Sequence, residues 1–476
     1  MEFTELADYP LRAGTVIEWV PVTGPSGTWQ RDERPLSHLH EQHCARSTAD
    51  EGESSWLGTI FEIPLPFDEE TVRVTLRRWM ARHDAFRTTA TADEHAAGRF
   101  ARSTCRAEDV HVMPRRVGHL RTGTRVYQHL THYFGSRLSP TEWPHCLLAT
   151  VSDIEPTAHD GGFLLVFGAD HSVMDAYSMM LAISEIQRLY QAVYTETSAE
   201  LPDVGSYIDF GAEDRALGAA LTAADPAVRV WRRYLRHGGG RFPAFPLPVT
   251  SRTGRSHPGL HQSGLSSWVL TAEQTEQLQA RCRGAGHSVQ SAVFAALAAT
   301  HRVLVGSEPL RCAMPVHTRH TAAHVHAMGW YVGLLPLELD HAGADTLAEL
   351  LDRTAAAIDA VRPLARLPFP RIAELLGCAQ VPRFVVSYVD VRHVPDATRW
   401  QQWQVRPLRS GEQSDEEVYF WIARSPGGLA VSARFPSNEV ATANVHRFIN
   451  TFTAMLSTVT AEGALVDRRT AVTPAG

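Results

Sequence analysis

Lysine is missing from this chain: all 45 basic residues among its 476 are arginine. That absence excludes an imine-forming lysine and a phosphate-gripping lysine of the Walker type anywhere in the chain. Cysteine is sparse. Cys44, Cys105, Cys146, Cys282, Cys312 and Cys378 are scattered with no C-x-x-C pair, which argues against a redox dithiol or zinc ribbon and reads as reduced, mostly buried thiols of a cytosolic protein. No run approaches the roughly 18 apolar residues of a membrane span. The opening residues MEFTELADYP lack the basic and apolar segments of a leader. Positive charge is not in excess either, because the formal net charge is -7 and the pI about 6.4, which disfavours a nucleic-acid surface. The expectation is a cytoplasmic globular protein with no membrane span and no nucleic-acid partner.

What is present is a nine-residue segment, DHSVMDAYS, at 170–178. Before it, Phe163 to Phe167 is an unbroken apolar run, as expected of a strand covered on both faces. After it, Met179, Ile183, Ile186, Tyr190 and Val193 recur at helical spacing, so an amphipathic helix is expected over 177–194. His171 therefore stands where a rigid strand end holds an imidazole at the edge of a cavity, a suitable place for a general base. A His-x-x-x-Asp pair arises easily by chance among 24 histidines, so its surroundings decide its weight. Two ligands, His171 and Asp175, fall short of the three or four that zinc requires, and no metal is expected.

The length implies more than one core, at roughly 150 residues per domain. Asp68, Glu69 and Glu70 precede an apolar stripe of Val72, Leu76, Trp79 and Met80, which predicts a helix. Residues 90–125 are polar and arginine-rich; Arg115, Arg116 and Arg121 fit a solvated face better than an acidic partner's site. The chain loosens at 195–205 and again over 238–264, a Gly/Pro/Ser-dense connection whose triple glycine lacks the flanking strand and helix of a phosphate loop. Thr271 with Gln274 forms a capping box, Ser288 is a cap before a buried helix over 289–305, and strands are expected at 312–316, 334–337 and 384–389. A hairpin over 418–434 and a final helix capped by Asn438 complete the pattern. Strands alternate with helices in both halves, which indicates an α/β architecture of two layers, each with a mixed sheet. The division expected is 1–200 and 201–476.

In this order the segments resemble the condensation-domain superfamily of acyltransferases, whose signature is HHxxxDG. RHDAFRTTA at 82–90, DHSVMDAYS, SYIDF at 206–210, RLPFPRIAELL at 366–376 and FVVSYVDVRHVP at 384–395 fall at the family's positions. MPVHTRH at 314–320 followed by MGWYVGLLPLEL is most similar to stand-alone actinobacterial, polyketide-associated acyltransferases that esterify sugars and lipid diols. The likeness spans roughly residues 35–460 and implies two chloramphenicol-acetyltransferase-like halves meeting in a V with a tunnel between them. It also implies that His171 is the catalytic histidine and that Asp175 is a structural carboxylate paired with an arginine of the second half, for which Arg319 is the candidate.

Two positions depart from the signature. Asp170 replaces the first histidine, and Ala176 replaces the glycine, adding a methyl and restricting positive φ. These two, with Trp330 and Tyr331, are the candidates for substrate contact. The implied activity is acyl transfer from a coenzyme A or carrier-protein phosphopantetheine thioester to a hydroxyl, with no bound cofactor and no acyl-enzyme, by a monomer. Amide formation on an amine acceptor is one alternative. A condensation-like fold that has lost catalysis and recruits a partner enzyme is another.

Overall fold

The computed structural model describes residues 4–461 apart from 25–27, 50–54, 94–98, 155–160, 251–260, 345, 379 and 412. Part of the connection expected at 238–264, residues 251–260, thus lies outside the described residues, as do the chain's first three and last fifteen.

Among the described residues two large sheets and one small one organise the fold. The first has seven strands in the order Thr4–Glu5, Arg406–Arg409, Trp56–Ile63, Phe163–Asp170, Cys146–Ser152, Gly14–Thr23, Val110–Leu120, and only its first pair is parallel. The strand Phe163–Asp170 lies at its centre, and its apolar run follows from that position. Phe163, Leu165, Phe167 and Ala169 enter one core with the helices Glu69–Arg82 and Ala176–Tyr194, while Leu164 and Val166 enter another against the helix Gly123–Gly135. Alternate side chains point to opposite faces, so a strand covered on both needs apolar residues at every position.

The second sheet runs Gln262–Thr271, Gly428–Pro436, Val418–Ser425, Phe384–Asp390, Leu310–His317, Val332–Leu339, with two parallel pairings among antiparallel ones. The alanine-rich helix Val289–Leu304 and the terminal helix Glu439–Ala461 pack on it, the former capped by Ser288 Oγ and the latter by Asn438 Oδ1. Both sheets are mixed, in keeping with the expected α/β layers. The capping box at Thr271 and Gln274 is present, and the hairpin at 418–436 pairs in register throughout.

A cut at residue 200 does not partition the strands. Arg406–Arg409 comes from the far half of the chain yet lies between Thr4–Glu5 and Trp56–Ile63 in the first sheet, and Trp400, Trp403 and Val405 join that lobe's core. The polar stretch at 90–125 also resolves into strand: Phe100–Thr104 lies in a small three-stranded sheet, and Val110–Leu120 is an outer strand. Arg115 pairs with the buried Glu18, and Arg116 with Glu69 at 2.7 Å. These arginines serve the fold.

Candidate active site

The central strand ends at Asp170, and His171 opens a single turn of 3-10 helix before Asp175 starts the next helix. Both aspartates cap: Asp170 Oδ1 accepts from Ser172 N at 2.8 Å, and Asp175 Oδ1 from Ser178 N at 2.7 Å. Each satisfies donors that a helix start leaves open. The motif is therefore two caps in series that present a histidine between them.

Asp175 is held from the second lobe. Arg319 Nη1 donates to Oδ2 at 2.6 Å and Nη2 to Oδ1 at 3.0 Å, and the backbone N–H of Tyr331 reaches Oδ2 at 2.9 Å. Burial alone would raise the Asp175 carboxyl, but the Arg319 charge and these hydrogen bonds hold it below its ordinary value. Arg319 also donates to Ser178 Oγ and stacks over the Tyr331 and Tyr177 rings, 4.4 and 5.1 Å from their centroids. The partner expected for Asp175 is thus the one observed.

His171 is partly exposed, and its ring packs on Trp330 at a centroid distance of 4.1 Å. Its Nδ1 is buried and makes no hydrogen bond to any described residue. Burial first, then the neighbouring His43, hold the imidazole below its ordinary pKa, so it is the neutral form that prevails near pH 7. The carbonyl of Ser172 accepts from the Tyr207 hydroxyl at 2.8 Å. Gly329, at φ +151°, lies flat against the Tyr207 ring, where a Cβ would come within 2.4 Å of it.

Segments matched to the family converge here. His83 Nε2 meets Glu185 of the motif helix at 2.7 Å, and Asp84 accepts from Tyr207 N at 2.9 Å. Three expectations need correction. Ala176 is the first residue of the helix and is absent from the non-glycine residues with positive φ, so the feared backbone restriction does not arise. Tyr331 has 0 % exposure and is packed among Tyr207, Phe210 and His324, which makes it a packing residue and not a substrate-facing one. Trp330 is partly exposed beside His171, while Asp170, also expected to contact substrate, is fully buried and engaged by His43 and the Ser172 backbone.

Sequence reasoning missed His43, whose Nε2 lies 3.1 and 3.3 Å from the Asp170 carboxylate. Burial raises the Asp170 carboxyl, but the charge and hydrogen bond of His43 and the bond from Ser172 outweigh it and bring it to about 2. Among the described residues no group of His, Cys, Asp or Glu converges as a metal site, and no helix is long and apolar enough to cross a membrane.

A histidine set between two lobes, on a loop that one lobe supplies and the other anchors, defines a class. The family model of the condensation domain matches residues 30–475, and the chain belongs to that family. Among its relatives, the acyltransferase PapA3 of Mycobacterium tuberculosis is 24 % identical over 480 residues, covering 95 % of this chain and 98 % of the relative. The 2'-acyl-2-O-sulfo-trehalose (hydroxy)phthioceranyltransferase PapA1 of the same organism is 26 % identical over 313 residues, covering 64 % and 60 %. The fold is that of the PapA2 acyl transferase structure, with a TM-score of 0.85 at 22 % identity over 97 % of this chain and 100 % of that one. With acyltransferases among both kinds of neighbour, the chain falls in the acyl-transferring class.

Proposed function

We propose that this protein transfers an acyl group from a coenzyme A or carrier-protein thioester to a hydroxyl acceptor, in lipid or secondary-metabolite biosynthesis, with His171 as general base. The observation that carries the reading is the histidine itself: partly exposed, with Nδ1 turned inward and the loop clamped by the Asp175–Arg319 pair. In the neutral tautomer that carries its proton on the buried Nδ1, Nε2 presents the lone pair. It takes the hydroxyl proton as the acceptor oxygen attacks the thioester carbonyl carbon. The C–S bond then breaks, the ester forms, and the imidazolium returns its proton to the departing thiolate. The tunnel that the family resemblance implies between the lobes is the route by which both substrates reach His171, and no cofactor or acyl-enzyme takes part. The sugar acceptor in the PapA1 and PapA2 names makes a carbohydrate or diol hydroxyl the first choice of acceptor.

The test is incubation with palmitoyl-CoA and either trehalose or a long-chain diol, following thiol release and the ester by mass spectrometry. His171→Ala should lower kcat by about 10² to 10⁴. Ester formation at an undiminished rate in that variant would remove the base assignment. An amide with an amine acceptor in place of an ester would redirect the acceptor class, and no thiol release from CoA or carrier-bound donors would favour the recruiting scaffold.

A further inference from the structure

The motif's first position carries an aspartate, and its carboxylate is not idle. Asp170 is fully buried and faces His43 from the helix His38–Ala49, 127 residues away in sequence. His43 in turn sets its ring edge-on to Trp330, with centroids 5.5 Å apart at 90°. Trp330 is the same indole that packs on His171 at 4.1 Å. One carboxylate, two imidazoles and one indole thus form a continuous chain of contacts ending at His171. His43 is also partly exposed, with a side-chain accessibility of 16 %, whereas Asp170 has none.

We propose that the His43–Asp170 pair is a positioning element for His171, fixing Trp330 against its ring and setting the charge it experiences. The inference rests on the acyl-transfer reading above. An imidazole supplied from a distant helix stands in for the one absent from the first motif position, and the aspartate is its anchor. A carboxylate that oriented nothing would be costly at zero exposure, whereas here it accepts from both His43 and the Ser172 backbone.

The charges around the pair give opposite signs to its two members. His171 is faced by His43, Asp170 and Asp175. His43 is faced by Asp170, with His40 and His145 buried behind it and Arg102 beyond His40. Charge on His43 opposes protonation of His171, and charge on Asp170 favours it. His43→Gln keeps a donor for Asp170 but removes a ring able to carry positive charge, so His171 should titrate at higher pH. Asp170→Asn removes the anion, so His171 should titrate at lower pH.

The experiment is a histidine NMR titration of the full chain labelled at the imidazole, with the His171 resonance assigned by its loss in His171→Gln. The expected result is displacement of the His171 midpoint by roughly half to one pH unit upward in His43→Gln and downward in Asp170→Asn. In turnover with palmitoyl-CoA, His43→Gln should lower kcat about tenfold with little change in KM, and its acid limb should move with the NMR midpoint. Equal midpoints in all three proteins would overturn the proposal. Should either variant fail to fold, His43→Asn and Asp170→Ser repeat the two signs at smaller volume. If His171→Ala abolishes transfer while the midpoints do not move, only this proposal falls. If His171→Ala keeps full activity, the general-base reading falls first.

Discussion

Arg319 and Asp175 are 144 residues apart in sequence and meet through two parallel hydrogen bonds of 2.6 and 3.0 Å, both side chains 2 % exposed. Removing one partner of such a buried pair strands the other charge, at a cost of about 3 to 5 kcal/mol. Arg319→Met should therefore lower the unfolding free energy by that order, and the urea midpoint with it. Arg319→Lys should recover little, because an ammonium lacks the planar fork that two parallel bonds require. Equilibrium urea unfolding of the three proteins checks both.

Ala176 begins the motif helix with ordinary backbone angles. Ala176→Gly, which restores the family's residue, should cost up to about 1 kcal/mol of stability and change kcat less than about tenfold, a barrier change under about 1.4 kcal/mol. A large gain in rate would mean that the methyl obstructs the thioester. Thermal melts and initial rates decide.

Gly329 and Tyr207 form a close contact that tolerates no side chain, and Tyr207 holds the carbonyl of Ser172 next to His171. Gly329→Ala should displace the tyrosine, lowering Tm and the rate together. Tyr207→Phe, which keeps the ring and loses one buried hydrogen bond, should cost about 1 to 3 kcal/mol. A Gly329→Ala protein with wild-type Tm and rate would show that the loop adapts freely.

His301 Nδ1 and His341 Nε2 lie 3.1 Å apart in the second lobe. Burial and then the neighbouring imidazole hold His301 down at about 4, and burial also lowers His341, His40, His145 and His171. An unfolded histidine titrates near 6.5, so between those values the unfolded chain binds more protons. The stabilisation is complete above about pH 6.5 and is lost as the pH falls through the folded values. The urea midpoint should fall between pH 7 and pH 5, and His301→Gln should make that fall shallower.

The motif was legible because its surroundings impose strong patterns. A strand buried on both faces must be apolar throughout, and a helix packed on its sheet repeats apolar residues at helical spacing, so Phe163–Asp170 and Ala176–Tyr194 announced themselves. Arg319 was reachable only through family resemblance and the demand of a buried carboxylate for a partner. His43 left no comparable trace. Its helix, His38–Ala49, has mean polarity and no apolar stripe strong enough to mark it, and its tie to Asp170 depends on tertiary placement. Tyr331 was misread because an aromatic beside a tryptophan looks the same in sequence whether it faces a channel or a core. Arg406–Arg409 escaped because four residues, half of them charged, carry no usable alternation.

That short strand has a consequence for how the polypeptide acquires its shape. Trp56–Ile63 pairs on one side with Phe163–Asp170, but its other side waits for residues some 350 positions later, where Arg406–Arg409 docks and Ser410 continues the contact with Trp56. During synthesis the early lobe is therefore left with an unpaired margin until nearly the whole protein has emerged, and open margins of this kind invite association with other chains. Fragments expressed from a break near residue 200 should aggregate separately, and their soluble recovery should depend on being made together.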